Sequence, residues 1–272
     1  MRSNAVPPFV TIERRGRVAL LTLNRPDSLN AIGTHRDCLD LVEAIESLID
    51  DRSISAAVLT GAGRAFSAGG NLKAMRERNG IGPLEQPDST RHNYRRGVQR
   101  ITHAFMACEV PLIAAVNGHA VGLGCDLACL CDIRLAAESA KFSASFIKVG
   151  IVPGDGGAWS LQRVVGYSTA ARMFLTGDRY SAQEALGFGL VDTVVPDERL
   201  LPEALDLAQR IAANPARALR LTKRLLREAQ TQRMSEILEL SAAYQALAHE
   251  TADHTEALDA FLEKREPVFR GE

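Results

Sequence analysis

The stretch Ala65-Phe66-Ser67-Ala68-Gly69-Gly70-Asn71-Leu72-Lys73 decides the fold. A second glycine-rich turn, Asn117-Gly118-His119-Ala120-Val121-Gly122-Leu123-Gly124-Cys125-Asp126, follows it one structural unit later. Each comes after a short apolar run that reads as a buried strand, residues 56–60 before the first and 112–116 before the second. Glycine-rich turns that open helices present main-chain N–H groups without intrahelical partners. Two such turns facing one pocket would make an oxyanion hole from backbone rather than from side chains.

The rest of the composition narrows the setting. A chain of 272 residues holds one large domain or two small ones, and a 46% hydrophobic content suffices for a substantial core. With 32 basic against 33 acidic residues the formal charge is -1, which offers no overall attraction for nucleic acid or a charged membrane surface. Small molecules and copies of the chain itself are the partners to expect. Residues 1–8 lack the apolar core of a secretory signal, and the longest apolar stretch, 110–131, is broken by Asn117, Gly118, His119 and Asp126. Neither secretion nor membrane spanning is expected, and the expected location is the cytoplasm. Cys38, Cys108, Cys125, Cys129 and Cys131 read as buried free thiols of a reducing compartment.

Strands at 10–14 and 18–23 flank Arg15-Gly16-Arg17 and predict a hairpin. Thr34-His35-Arg36-Asp37 is a capping signal, after which Leu39, Val42, Ile45, Leu48 and Ile49 recur at helical spacing. Adding the strand at 56–60 gives β-β-α-β order and points to an α/β architecture. Residues 76–96 contain Gly80-Ile81-Gly82-Pro83 among many polar residues and read as a mobile surface excursion. A helix near 94–107 leads into the strand ending at Val116, and a strand at 132–136 follows the second turn. Strands plus helix therefore recur, without a residue-level repeat.

Ser181-Ala182-Gln183-Glu184 is a capping box for a short helix that Gly187 and Gly189 stop before a strand at 190–195. Beyond Pro196 the helical patterns 200–213, 216–230, 235–249 and 254–265 contain few strand formers. They predict an α-only layer whose apolar faces suit packing against another subunit. The expected organisation is an α/β core with the site over 1–198 and a helical oligomerisation region over 199–272.

Several chemistries are removed by spacing. Gly61-Ala62-Gly63 has Phe66, and Gly122-Leu123-Gly124 has Leu127, where a dinucleotide fingerprint needs its third glycine. His249 and His254 stand at i, i+5 rather than on one helix face, so capping and solvation explain them better than zinc, and no metal site is expected. No Gly-x-Ser-x-Gly elbow surrounds Ser67, which reads as a turn hydroxyl. Arg91, Arg95, Arg96 and Arg100 read as a solvated helix face rather than a phosphate site. His119 has equal claims to a structural hydrogen bond and to a catalytic role.

The two turns, with Asn24-Arg25-Pro26 and Leu29-Asn30-Ala31 upstream and Cys131-Asp132-Ile133-Arg134 downstream, resemble the crotonase (enoyl-CoA hydratase/isomerase) superfamily. The resemblance continues through Gly150-Ile151-Val152-Pro153-Gly154-Asp155-Gly156-Gly157, Leu175-Thr176-Gly177-Asp178, Ala185-Leu186-Gly187-Phe188-Gly189-Leu190-Val191 and Phe261-Leu262-Glu263-Lys264-Arg265. It implies a spiral of repeated ββα units, a helical trimerisation region, and an acyl-CoA thioester held by two backbone N–H groups. It also implies no cofactor beyond the coenzyme A carried by the substrate, and a trimer or a dimer of trimers. Carried over by position, the oxyanion donors fall on Gly70 and Leu123. Ala68, Asn71, Leu72 and Lys73 line the CoA stretch, and Ser28 and Leu29 border it. Phe261 and Lys264 resemble a pair by which a neighbouring helix reaches the nucleotide end, with a solvated lysine as the plain alternative.

The chain departs from the family at the two glutamates that handle water and the Cα proton in hydratases. The first position is Asp126, a shorter carboxylate, and the second is Phe146, which transfers no proton. Asp155 is a substitute carboxylate, because burial in an apolar pocket would raise its pKa into a working range. A plain capping role at the following helix competes with this, and Asp126 at its own helix start faces the same choice. Three readings follow. They are hydration of a 2-enoyl-CoA by Asp126 and Asp155, double-bond isomerisation by one shuttling carboxylate, and a weakly active or non-catalytic CoA-binding protein.

Overall fold

In the computed structural model, which describes residues 7–271, the hairpin is β1 (Val10–Arg15) and β2 (Val18–Leu23), paired antiparallel around Gly16. The expectation about a leader peptide falls mostly on residues outside this range. A capping box between Thr34 and Asp37 opens α1 (His35–Asp50), which buries Cys38, Leu41, Val42, Ile45 and Leu48. Three strand pairs follow, each joined to helices. β3 (Ala56–Gly61) and β4 (Ala65–Ser67) precede α2 (Leu72–Arg76), α3 (Pro87–Arg96) and α4 (Val98–Ala107). β5 (Leu112–Val116) and β6 (His119–Val121) precede α5 (Leu123–Leu130). β7 (Ile133–Ala137) and β8 (Lys141–Ser143) lead through a 3-10 turn at Ser145–Val149 to α6 (Gly157–Val165) and α7 (Tyr167–Thr176).

The first strand of each pair enters a six-stranded sheet of order β1-β2-β3-β5-β7-β10, and the second enters a four-stranded sheet of order β4-β6-β8-β9. Here β9 is Tyr180–Ser181 and β10 is Thr193–Val195, on either side of α8 (Ala182–Gly187). Apart from the β1–β2 hairpin the large sheet is parallel. Its strands β3 and β5 are buried along their whole length, which is why they read as unbroken apolar runs rather than as alternation. The repeated ββα order is the spiral that the resemblance implied.

Four local features differ from the sequence reading. The strands β4 and β6 lie inside what reads as glycine turn, because three residues are too few to show a period. The segment 76–96 is anchored rather than loose: Ile81 is buried, Asn93 Nδ2 donates to Gly80 O and Gly82 O, and its second half is α3. The helix near 94–107 is two helices broken at Gly97. The strand at 190–195 shortens to β10, since Gly189 turns the chain and Leu190 N–H and Asp192 N–H donate to Ala185 O and Arg134 O.

The last four helices are α9 (Leu200–Ala212), α10 (Ala216–Glu228), α11 (Met234–His249) and α12 (Ala252–Glu263). The helix α9 packs on β2, β3, β5 and β7 and buries Ala204, Leu205 and Ala208 in the same core. Thus the first helix of the 199–272 region is part of the α/β body. Among the described residues no helix is long and apolar enough to cross a membrane, and all five cysteines are buried and free.

The helix α10 turns a basic stripe inward. Arg220 donates to the carbonyls of Leu48, Ile49, Asp51 and Ile54 at the end of α1. Arg227 donates to Leu130 O at the end of α5, and Lys223 Nζ to Val110 O at 2.6 Å. Cations placed on helix C-termini satisfy orphan carbonyls and oppose the dipole. Asp132 balances them, lying 2.7 Å from Lys223 and 3.1 Å from Arg227 while accepting from Leu112 N–H at 2.7 Å. Removing one member of a buried pair strands the other charge. Asp132→Ala is therefore expected to destabilise by about 2–4 kcal/mol, below the top of the usual range because Asp132 keeps some exposure. Thermal unfolding at fixed protein concentration checks this, and an unchanged midpoint would mean the cations are satisfied by carbonyls alone.

Candidate active site

The two glycine turns meet. Gly69 has φ +78° and no space for a side chain: a Cβ there would overlap Val121 O and sit 3.1 Å from Leu123 N. Three neighbouring N–H groups are engaged. Ala68 N–H donates to Leu29 O at 2.8 Å, Gly69 N–H to Ser67 Oγ at 3.1 Å, and Gly122 N–H to Ser143 O at 2.8 Å. Two are not. Among the described residues neither Gly70 N–H nor Leu123 N–H has a protein acceptor. Leu123 is the first residue of α5, where helix geometry leaves the N–H without an intrahelical partner and the dipole favours negative charge.

Asn30 fixes the first turn from below. It is fully buried with φ +56°, donates from Nδ2 to Ala65 O at 2.8 Å and accepts Arg25 N–H at 2.9 Å on Oδ1. Its own carbonyl accepts Ser67 Oγ at 2.8 Å, which makes Ser67 the structural turn hydroxyl expected. Leu29, also left-handed at φ +55°, is tied to Ala68, so these two residues share one edge of the site. Ser28 is exposed beside them. Asn71 caps α2 through Ala74 N–H at 3.1 Å, and Leu72 and Lys73 are exposed on its first turn.

The carboxylates come together across the start of α6. Gly157 packs against Asp126 so closely that a Cβ there would overlap the carboxyl group. Asp126 and Asp155 are 1% and 4% exposed, and neither oxygen of Asp126 has a hydrogen-bond partner among the described residues. Asp155 lies close enough for its charge to act on Asp126. Burial first, then the neighbouring Asp155 charge, raises the pKa of Asp126 well above the ordinary range. Burial raises Asp155 as well, while the Gly157 N–H at 3.3 Å favours its charged form. The neutral form is therefore favoured more strongly at Asp126 than at Asp155. Asp155 does receive a helix-start N–H, as a capping residue would, while Asp126 receives none.

A chain of contacts joins the dyad to the free N–H groups. Met75 Cε lies against Gly70, and Met75 also packs on Gly82, whose carbonyl accepts Asn93 Nδ2 at 2.9 Å. The next residue, Tyr94, packs on Gly154, where a Cβ would be 2.9 Å from its ring. Burial, then the Asp155 charge, raises the Tyr94 phenol. Gln99 Nε2 on Gly154 O at 2.8 Å and Thr102 Oγ1 on Asp155 O hold the loop itself. Phe146 closes the other side, its ring 3.6 Å from where a Cβ of Gly122 would stand. Met75 and Tyr94 carry no signal in the sequence, because nothing local reveals that α2 and α3 fold back over the turns.

Phe261 and Lys264 are not brought to these residues. Both are exposed at the end of α12, which packs on α11, and Phe261 is 82% exposed. His119 is an exposed residue of β6, and His249 and His254 touch each other at 3.0 Å on the surface. A groove of about 810 Å³ between α10 and the α5–α6 side contains neither the free N–H groups nor the dyad.

The enoyl-CoA hydratase/isomerase family model matches residues 13–272. The chain is 40% identical over 260 residues to the 2,3-dehydroadipyl-CoA hydratase of Escherichia coli K12, covering 96% of this chain and 98% of that protein. It is 38% identical over 254 residues to the 1,2-epoxyphenylacetyl-CoA isomerase of the same organism, covering 93% and 95%. The crystal structure of enoyl-CoA hydratase from Bacillus anthracis superposes with a TM-score of 0.89 at 33% identity, covering 97% of this chain and all of that one. With fold, repeat and sequence in agreement over nearly the whole length, the chain belongs to the enoyl-CoA hydratase/isomerase (crotonase) family of enzymes.

Proposed function

We propose that this enzyme receives the thioester oxygen of an acyl-CoA on Gly70 N–H and Leu123 N–H and moves a proton through the Asp126/Asp155 pair. The observation that carries the reading is the pair of unengaged N–H groups on two abutting turns. Removing a Cα proton sends its electron pair into the thioester, and aligned donors stabilise the oxygen that becomes negative. Asp155, as the carboxylate, accepts that proton. The reaction best suited to one buried carboxyl site is double-bond isomerisation: the proton leaves C2 of a 3-enoyl thioester and is returned at C4, leaving the conjugated 2-enoyl product. Phe146 at the second glutamate position supports this, since isomerisation needs no second independent acid.

Hydration is the second reading, favoured by the names of relatives such as the 2,3-dehydroadipyl-CoA hydratase. Neither reaction needs a cofactor beyond the coenzyme A of the substrate. The exposed Leu238, Leu258, Phe261 and Leu262 on α11 and α12 support a homo-oligomer, a trimer or a dimer of trimers, in which Lys264 would approach the nucleotide of a neighbour's ligand. Five buried thiols suit the reducing cytoplasm. Purified protein given a 3-enoyl-CoA is expected to produce conjugated-thioester absorbance, whereas loss of that absorbance with crotonyl-CoA would favour hydration. No change with either across chain lengths would sink both readings.

A further inference from the structure

Beside the dyad lies a cleft of about 710 Å³ lined by Arg91, Tyr94, Arg95, Gln99, Gly150, Ile151, Val152 and Gly154. Both of its walls lead to the reacting centre. On one, Tyr94 and Gln99 hold Gly154, the residue before Asp155. On the other, Ile151 N–H donates to Phe146 O at 3.2 Å, and the Phe146 ring lies over Gly122, next to Leu123. The edge assigned to CoA by Ser28, Leu29 and Ala68 contributes nothing to this lining. The cleft thus adjoins the acyl side of the site.

Its charge is one-sided. Arg91 and Arg95 stand at i, i+4 on α3, a spacing at which like charges repel, and among the described residues neither makes an ion pair or a side-chain hydrogen bond. The end of a helix favours Arg95 through the dipole but does nothing for Arg91 in the middle of α3. No acidic residue lines the cleft. Two guanidinium forks over a partly apolar floor match a planar carboxylate at the end of a carbon chain.

Building on the acyl-CoA reading above, we infer that Arg91 and Arg95 recognise a carboxylate at the far end of the substrate's acyl group, so that the preferred substrates are thioesters of dicarboxylic acids. A phosphate of coenzyme A is the other anion that two arginines would accept, and the test separates the two. The dissociation constants of two saturated, unreactive ligands of equal length, adipyl-CoA and hexanoyl-CoA, are measured by calorimetry on the full-length protein. Binding, rather than turnover, keeps the outcome independent of which reaction the enzyme performs.

The native protein is expected to bind adipyl-CoA at least about 10-fold more tightly than hexanoyl-CoA. Arg91→Ala/Arg95→Ala is expected to abolish that preference while changing hexanoyl-CoA binding less than about 3-fold. Arg96→Ala, on the same helix but outside the cleft, is expected to alter neither value. Equal affinities in the native protein would overturn the inference. Equal losses for both ligands in the double variant would do so as well, assigning the arginines to the phosphates. Loss of all acyl-CoA binding by the native protein would remove the functional reading along with it, whereas absence of turnover with the preference intact would remove only the proposed reaction.

Discussion

Leu123→Pro is expected to lower kcat by about 10²- to 10³-fold, while Leu123→Ala stays within a few-fold of the native enzyme. The contrast isolates one hydrogen atom. Leu123 is the first residue of α5, where proline is tolerated because its missing N–H would have no intrahelical acceptor. The preceding residue is Gly122 at φ +52°, so no Cβ stands against the proline ring. Both variants lose most of a buried side chain, and both should be less stable by a similar amount, of the order of 2–4 kcal/mol. A stability effect would therefore be shared, whereas only proline removes the donor. Equal kcat for the two variants, measured well below their unfolding temperatures, would show that the Leu123 N–H does not meet the substrate.

The second large effect is at the dyad. Asp155→Asn is expected to reduce turnover by at least about 10²-fold, the lower end for loss of a general base, with little change in acyl-CoA affinity. Asn cannot accept the proton, yet it keeps the shape and can still accept the Gly157 N–H. Near-native turnover would leave Asp155 as a capping residue only. Asp126→Asn tests the other half through stability. The folded state raises the pKa of Asp126, so between its unfolded and folded values the native protein binds more protons than the unfolded chain. Stability from this group is present in acid and is lost as pH rises through the folded pKa. Asn cannot ionise, so the variant should lose less stability than the native protein over that rise, and denaturant titrations across the acidic to neutral range read the difference. Parallel curves would mean that Asp126 carries no raised pKa.

Burying two neighbouring carboxyl groups is a stability cost of the kind found at working sites. Nothing in the surrounding structure relieves it: Asp126 receives no backbone donor, and the helix start that offers one serves Asp155. The two aspartates thus have different surroundings despite identical side chains.

The sequence by itself determined much of this. Continuous apolar runs announced β3 and β5, capping boxes announced α1 and α8, and the order of motifs announced the family, because these signals are local or depend only on sequence order. Gly70, Leu123, Asp126 and Asp155 were also legible as candidates, since glycine turns and an unexpected carboxylate stand out in a motif. Only the tertiary structure decided that α2 and α3 fold back to place Met75 and Tyr94 at the site, that the basic stripe of α10 faces inward, and that Asp126 and Asp155 are buried at the start of α6. Each of these depends on which surfaces are brought together by residues far apart in the chain. A charge beside water and a charge beside a helix C-terminus have the same spelling, and only burial and a partner's position distinguish them.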